Sequence, residues 1–452
     1  MPNQHLDRLG LPPLAGLATY EAASRPGYAV DQSVELLKRF NYVTTCLNQI
    51  AASHLARTPE WEIKCGLSLH LWLDAEHSAA LRARVAEMRE PPLHLDQAPD
   101  DRLQAWLDEA IRAEDTLELL VGLYRVIRPE LLRCWRLYLA EANPLADYPT
   151  CRLLRLASGE EEEMILWGEQ AIAALTRDQP AAGRAARWQA HLLAYLNAAG
   201  GVAGDLPTAE APDLPAARGD GRPYAMEAEP RRDARFPDPF NRAYTRRDPR
   251  QDEGHLDLVL LYARAREMDV PEFMAPILVK TRGKPWNYYR EMSRQLWDEA
   301  RHAMMGEVGL VQAGVPFHQL PIELQGSVSL NTEFTPLEAH TLLWGIEQAL
   351  MARETGKPRE LARARESGNA LVVTFQDFDW ADEVLHAQIG RRWLVPELGG
   401  TEKAQARYDE LWPRWEQSMA RLDGRSEQQD WWTEFLDRFR QGGFRQPATG
   451  PQ

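Results

Sequence analysis

Apolar residues recur along most of the chain at intervals of three and four, the spacing that places them on one face of an α-helix. Residues 31–57 show the pattern clearly, with Val34, Leu37, Phe40, Val43, Leu47 and Ile50. The alternation of apolar and polar residues that is typical of strands is nearly absent. The pattern therefore predicts an all-α protein.

Proline and glycine divide the first half of the chain into helices. We expect an arm over 1–30 and helices over 31–57, 60–89, 101–142, 151–176 and 185–197. Residues 199–253 are rich in Gly, Pro, Ala, Arg and Asp, and they are too many for an ordinary loop. The sequence predicts an N-terminal helical bundle over 1–198 that a linker, 199–253, joins to a second domain.

Helical spacing resumes after the linker. We expect a helix over 254–280 that bends at Pro271 and Pro276, a crossover over 314–334, and helices over 286–313, 335–355 and 369–394. Thr335 followed by Pro336 is a typical helix start, because threonine caps free N–H groups and proline at the first position has none to cap. The sequence predicts a four-helix bundle over 254–400 and a Trp-rich helical extension over 401–452.

Two helices of this bundle carry the same short motif. Asp298-Glu299-Ala300-Arg301-His302 lies on the second helix, and Asp382-Glu383-Val384-Leu385-His386 lies on the fourth. Residues three apart emerge on one helical face, so each motif offers a carboxylate and an imidazole to one metal ion. Two Glu-x-x-His motifs on two helices are what a four-helix bundle needs to hold two iron or manganese ions.

The other two helices should each add one glutamate. Glu267 and Glu299 both lie 16 residues from Gly283, at the turn between the first two helices, so they should be level in an antiparallel pair. The third helix offers Glu347 or Glu354, which are a heptad apart and share a face. We favour Glu347, because Glu354 lies close to the expected helix end; Glu354 remains the alternative ligand.

An aspartate stands directly before the glutamate of each motif. A ligand histidine needs an acceptor for its second ring nitrogen, which fixes the tautomer and raises its basicity. Asp298 and Asp382 are suited to that role, each toward its own histidine or across the pair. Arg301 is a candidate ion-pair partner for one of the two aspartates.

With these residues, the stretch 254–395 resembles the ferritin-like di-iron carboxylate superfamily. The resemblance implies Glu267, Glu299, His302, Glu347, Glu383 and His386 as ligands of two iron ions, with Fe/Mn and Mn/Mn pairs as alternatives. The paired aspartates are more similar to the oxygen-activating members, such as monooxygenase hydroxylases, ribonucleotide reductase radical subunits and acyl desaturases. Ferritins are a poorer match, because this chain has a long N-terminal half, a linker and a Trp-rich tail.

The resemblance implies an oxidase or monooxygenase that uses dioxygen and an external electron donor to oxidise a small organic substrate. Two alternatives stay open. One is a protein of ferroxidase or peroxide-scavenging type that handles metal, and the other is a helical scaffold with a vestigial site.

The N-terminal half contains a related pattern. Trp61, Trp72, Asp74, Ala75 and His77 match residues 286, 297, 299, 300 and 302 at a constant offset of 225. We interpret this as an internal duplication that produced two ferritin-like four-helix bundles. The first copy should be metal-free, because Asn41-Tyr42 stands where a carboxylate is needed and residues 160–163 have no histidine three positions on. Asp74 and His77 are then expected to be a polar core pair.

Composition narrows the function classes further. The net charge of −15 over 452 residues argues against binding to nucleic acid or to anionic membranes. No signal peptide and no apolar run of membrane-spanning length is recognisable. The four cysteines lie in the first third without a C-x-x-C motif, which favours reduced thiols in a cytoplasmic protein and excludes a cysteine-bound iron site in the second half. Oligomeric state stays open, with a homodimer as one expectation.

Overall fold

The computed structural model describes residues 10–206, 213–219, 221–242 and 255–444, and no strand occurs among them. The all-α fold class is confirmed. The first helices are α1 Tyr20–Ala23, α2 Val30–Leu55, α3 Trp61–Met88, α4 Asp101–Ala110, α5 Thr116–Val121, α6 Arg128–Glu141, α7 Tyr148–Leu175 and α8 Gln179–Ala198. After them come α9 Leu256–Ala265, α10 Asp269–Lys280, α11 Trp286–Gln312, α12 Gln325–Glu333, α13 Pro336–Leu350, α14 Lys357–Ser367, α15 Ala370–Trp393, α16 Val395–Leu398, α17 Thr401–Leu422 and α18 Trp431–Arg440. No helix in the described ranges has both the length and the apolar character that crossing a membrane requires.

Backbone contacts divide the chain into two compact units. The first comprises the residues up to Ile50 together with Leu73–Ala225, and the second comprises Ala51–Trp72 and the residues from Met226 onward. Sequence analysis instead assigned 51–72 to the N-terminal domain and placed the boundary in a linker, 199–253. Part of that linker, 207–212, 220 and 243–253, lies outside the described residues, as do 1–9 and 445–452 at the two ends. The linker, the duplication and the ferritin-like topology stay predictions.

The first unit has a core rich in large aromatic side chains. Trp106, Trp135 and Trp188 are fully buried in it. Helix α6 packs against α7, and α8 packs against α4 and α5. The prediction for 101–142, a helix with a kink or boundary at Pro129, misplaced the interruption, because the chain breaks earlier, after α4. There Asp115 accepts a hydrogen bond from the N–H of Glu118 and so begins α5 as a new helix.

In the second unit, α11 packs against α9, α10 and α15, and α13 packs against α10 and α15. The predicted bent helix over 254–280 is two helices, α9 and α10, with a turn of 3₁₀-helix at Arg266–Met268 between them. Pro271 falls in the first turn of α10, where a missing N–H costs no helical hydrogen bond. The break therefore precedes Pro271, and it places Glu267 in the turn itself.

Helix α13 begins as predicted and ends earlier. The Thr335 side chain accepts from the N–H of Glu338, whose carboxylate in turn accepts from the N–H of Thr335, so the start is a complete capping box. The helix ends at Leu350, five residues before the predicted end. The preceding stretch was expected to be an irregular crossover, but it contains the buried helix α12.

The predicted Trp-rich extension is part of the second unit. Tyr262 of α9 lies with its ring centroid 5.1 Å from Trp431 and 5.6 Å from Trp432 of α18. Its hydroxyl donates to the carbonyl of Pro321 at 2.9 Å, and the side chain is buried. Helix α18 therefore covers α9 with an aromatic layer, and Tyr262 is a core residue.

Close packing of α9 on α11 depends on a glycine. A Cβ placed on Gly306 would lie 2.3 Å from the backbone nitrogen of Ala265 and 2.6 Å from the carbonyl oxygen of Leu261. Backbone atoms cannot move aside as a side-chain end can, so Gly306→Ala should lower the free energy of unfolding by about 1–3 kcal/mol. Denaturant unfolding followed by circular dichroism measures this effect.

Gly159 provides the matched control. It lies exposed in the middle of α7, and a Cβ there would meet nothing within 4 Å. Gly159→Ala should therefore stabilise the protein by about 0.5–1 kcal/mol, through the lower backbone entropy of alanine in the unfolded chain. Equal effects of the two substitutions would contradict the close approach at Gly306.

Candidate metal centre

Six of the residues singled out by the sequence converge in the core of the second unit. One group comprises Glu267, Glu299, His302 and Glu383, and the other comprises Glu299, Glu347, Glu383 and His386. In each group, one ligand atom per residue lies within 4.8 Å of all the others. We call them the His302 group and the His386 group. They share Glu299 and Glu383, so the two candidate positions are adjacent.

Glu299 lies between the two histidines. Its Oε2 is 3.7 Å from Nδ1 of His302, and its Oε1 is 3.2 Å from Nδ1 of His386. The two imidazole rings are 6.0 Å apart, centroid to centroid. Each carboxylate oxygen of Glu299 therefore faces one group, which is the arrangement of a carboxylate that bridges two metal ions.

The aspartates of the two motifs contact the histidines crosswise. Asp382, on α15, lies 3.1 Å from Nε2 of His302 on α11. Asp298, on α11, lies 3.4 Å from Nε2 of His386 on α15. An Nε2–H that donates to a carboxylate leaves the Nδ1 lone pair of each ring directed toward the glutamates. Burial lowers the pKa of both histidines, but the surrounding carboxylates outweigh it and raise the pKa well above the ordinary value, so a metal ion would take the place of a proton on Nδ1.

Two arginines hold these aspartates. Arg301 contacts Asp298 at 2.5 Å and Asp382 at 2.6 Å, and Arg294 contacts both oxygens of Asp298 at 2.9 and 2.8 Å. Burial alone would raise the pKa of Asp298, but hydrogen bonds from His386 and Arg294 outweigh it and lower the pKa to about 2. Asp298 is therefore ionised at neutral pH and accepts from the imidazole.

Three of the candidate ligand atoms form no hydrogen bond among the described residues, although Nδ1 of His302 lies 3.3 Å from Oε2 of Glu267 and from Oδ1 of Asp379. Oε2 of Glu267, Nδ1 of His302 and Oε2 of Glu347 are buried, and none of them has a hydrogen-bond partner among the described residues. Burial and the negative charges of Glu383 and Glu299 raise the pKa of Glu347 well above its ordinary value. Unpartnered buried acceptors and crowded carboxylates are both destabilising. A divalent cation in each group would satisfy both, so the residues present fit a metal pair.

Glu354 is not part of the centre. It is exposed in the turn that follows α13, outside both groups. Glu347 lies inside the helix, is 3% exposed and accepts a hydrogen bond from Gln295 at 2.9 Å. Because α13 ends at Leu350, position 354 no longer continues the helical face that a heptad spacing assumes.

Sequence reasoning missed a set of charged residues beside the His302 group. Lys357 of α14 lies 2.9 Å from Glu383 and 2.8 Å from both oxygens of Asp379, and Arg264 of α9 lies 3.0 Å from Glu267. Asp379 stands four residues before Glu383, so helical spacing already placed it on the same face of α15. No comparable signal marked Lys357, because Gly356-Lys357-Pro358 resembles a loop.

The N-terminal copy of the motif has an arginine at its centre. Asp74, His77 and Glu161 lie close enough to share an ion. However, Arg128 donates to Asp74 at 2.9 and 2.7 Å and to Glu161 at 2.9 Å, and all three side chains are fully buried. The expected polar core pair is thus a larger network in which a guanidinium already balances the acids and His77 contacts Glu160 at 2.6 Å.

Fold and site together define an all-α protein with a buried carboxylate–histidine centre that could hold metal ions. Comparison with protein-family models, with curated proteins and with solved structures found no match to this chain. Function therefore has to be argued from the site.

Substitutions at Glu347 and at Glu354 test which of these two glutamates is a metal ligand. Glu347→Gln removes a charged donor from the His386 group, so the metal content should fall from two ions per chain toward one. Glu354→Gln makes the same chemical change at an exposed position and should leave the content unchanged. Elemental analysis after dialysis with Mn(II) measures both, and equal retention by the two variants would contradict the assignment of Glu347.

A second test concerns the aspartates that contact the histidine of the opposite helix. Asp382→Asn replaces the acceptor of His302 with a neutral amide, and metal affinity should fall about 10- to 100-fold, as for other groups that orient a ligand histidine. Asp377→Asn, at an exposed position on the same helix, is the control. An isothermal titration with Mn(II) in which both variants match the wild type would show that Asp382 does not support the ligand.

Proposed function

We propose that the second unit is a di-iron oxidase or monooxygenase of the ferritin-like carboxylate type, acting on a small organic substrate with dioxygen. One observation carries the proposal. Two groups, buried except for the half-buried Glu267, each contain three carboxylates and one imidazole and share Glu299 and Glu383. Shared carboxylates hold two ions close together, about 3.5–4 Å apart in dinuclear enzymes.

The donor set supports iron. Carboxylate oxygens and imidazole nitrogens suit Fe(II) and Mn(II), and neither group contains the thiolates that softer metals prefer. We propose an iron pair, with Fe/Mn and Mn/Mn pairs as alternatives. When bound, such a pair supplies the electrons and the open coordination positions that dioxygen reduction requires.

The side chains of the chain have distinct tasks in this proposal. Glu299 and Glu383 would contact both ions, and Glu267, His302, Glu347 and His386 would each contact one. Asp298 and Asp382 keep a proton on Nε2 of the histidines, so that Nδ1 stays free to bind. Burial of the ligands restricts water at the centre and strengthens the electrostatic interactions there.

The proposed overall reaction needs electrons from outside the protein. Hydroxylation of a substrate by one dioxygen incorporates one oxygen atom and reduces the other to water, with two electrons and two protons supplied. An external electron donor is therefore part of the proposal. N-oxygenation, desaturation and oxidative cleavage are related outcomes of the same chemistry.

Oxygen consumption tests the proposal. The metal-free protein is loaded anaerobically with two equivalents of Fe(II), exposed to oxygen with a chemical reductant present, and followed with an oxygen electrode. Wild type should bind two irons per chain and consume oxygen at least about tenfold faster than Glu299→Gln, which lacks one shared charge. Glu354→Gln should behave as wild type.

Other outcomes identify the alternatives. Oxidation of many Fe(II) ions per chain, with no need for reductant, would indicate a ferroxidase instead. Failure to bind iron under these conditions would indicate a helical scaffold with a vestigial site.

A further inference from the structure

A lysine lies inside the proposed centre. Lys357 is 1% exposed, and its Nζ contacts Glu383 at 2.9 Å and lies 3.6 Å from Glu267. Both glutamates belong to the His302 group. An ammonium group therefore already lies beside two of the carboxylates that a metal ion there would bind. The inference drawn from this rests on the proposed metal centre.

The two groups differ in the cations around them. Beside the His302 group, Lys357 pairs with Glu383 and Arg264 pairs with Glu267 at 3.0 Å. Glu347, the glutamate found only in the His386 group, accepts instead from the neutral amide of Gln295 at 2.9 Å. Among the described residues, Glu347 forms no ion pair with lysine or arginine. Lys357 contacts Oε1 of the shared Glu383, whereas His386 contacts Oε2. Permanent cations thus lie beside the glutamate found only in the His302 group, and none of the described lysines or arginines pairs with the glutamate found only in the His386 group.

We infer that the two metal positions fill in a set order, with the His386 group first and the His302 group second. A divalent ion entering the His302 group is repelled by the Lys357 ammonium and has to displace it from Oε1 of Glu383. An ion entering the His386 group meets no lysine or arginine at Glu347 among the described residues, and repulsion from an ammonium at short range inside a protein is strong. Lys357 thus acts as a positioning residue that makes the second site the weaker one.

The structure also provides a place for the displaced ammonium. Nζ of Lys357 is 2.8 Å from each oxygen of Asp379, which Arg264 also contacts. Lys357 can release Glu383 and remain paired with Asp379, so the lysine never becomes an isolated buried charge, which would be costly. Asp379 therefore allows the exchange between one-metal and two-metal states.

Titration of the metal-free full chain with Mn(II), followed by the electron paramagnetic resonance signal of free Mn(II), tests the order. Mn(II) serves as probe because it binds such ligands without reacting with oxygen. Wild type should show two binding events with dissociation constants at least about tenfold apart. In Lys357→Met the second event should tighten by about tenfold or more, while the first changes less than about threefold. Lys403→Met, the same change at an exposed position of α17, should match wild type.

Variants of the proposed ligands assign each Mn(II) binding event to one of the two groups, with Lys357 unchanged. Glu347→Gln should remove the tight event, and Glu267→Gln should remove only the weak one. These two variants test the filling order even if Lys357→Met fails to fold. A lysine that served structure alone would lower the melting temperature on substitution and leave the ratio of the two constants unchanged, which would overturn the inference.

The outcomes separate this inference from the proposed function. Two equal binding events in wild type, or loss of the tight event in Glu267→Gln, would overturn the filling order and leave the metal centre standing. Absence of Mn(II) binding in wild type would overturn both.

Discussion

The second unit is organised around buried carboxylates and histidines that crowd one another. Glu299, Glu347 and Glu383 are each at most 3% exposed, and two histidines present their Nδ1 atoms to them. Burying ionised groups is costly unless they are paired. Lys357 and Arg264 balance part of this charge on one side only. Burial and the charge of Glu383 raise the pKa of Glu347, and the carboxylates raise the pKa of both histidines, so divalent ions would take the place of protons there.

The surroundings of the centre are consistent with that constraint. Aspartates from α11 and α15 each reach the histidine of the opposite helix, and Arg301 lies between them. The two helices that carry the motifs are therefore tied by the hydrogen bonds that orient the ligands. In the first unit the buried carboxylates already have a permanent cationic partner, because Arg128 pairs with Asp74 and Glu161.

Much of the site was predictable because helical geometry is local. Residues three apart share a face, so Glu299 with His302 and Glu383 with His386 followed from spacing alone. Glu267 followed from counting residues to a turn, and Glu347 followed from its distance to the expected end of the third helix. Helical spacing could not predict that Lys357 lies at the centre. Lys357 begins α14 after a glycine, and its position depends on how α14 packs on α15. The early end of α13 and the turn that holds Glu267 likewise depend on tertiary packing, which periodicity does not report.

The central claim is that this centre binds two metal ions. Diffraction from crystals of protein loaded anaerobically with Fe(II), recorded on both sides of the iron absorption edge, tests it most directly. We expect two anomalous peaks about 3.5–4 Å apart, each next to one histidine Nδ1, with Glu299 between them. No anomalous peak at this centre, with His302 and His386 turned away from the glutamates, would contradict it.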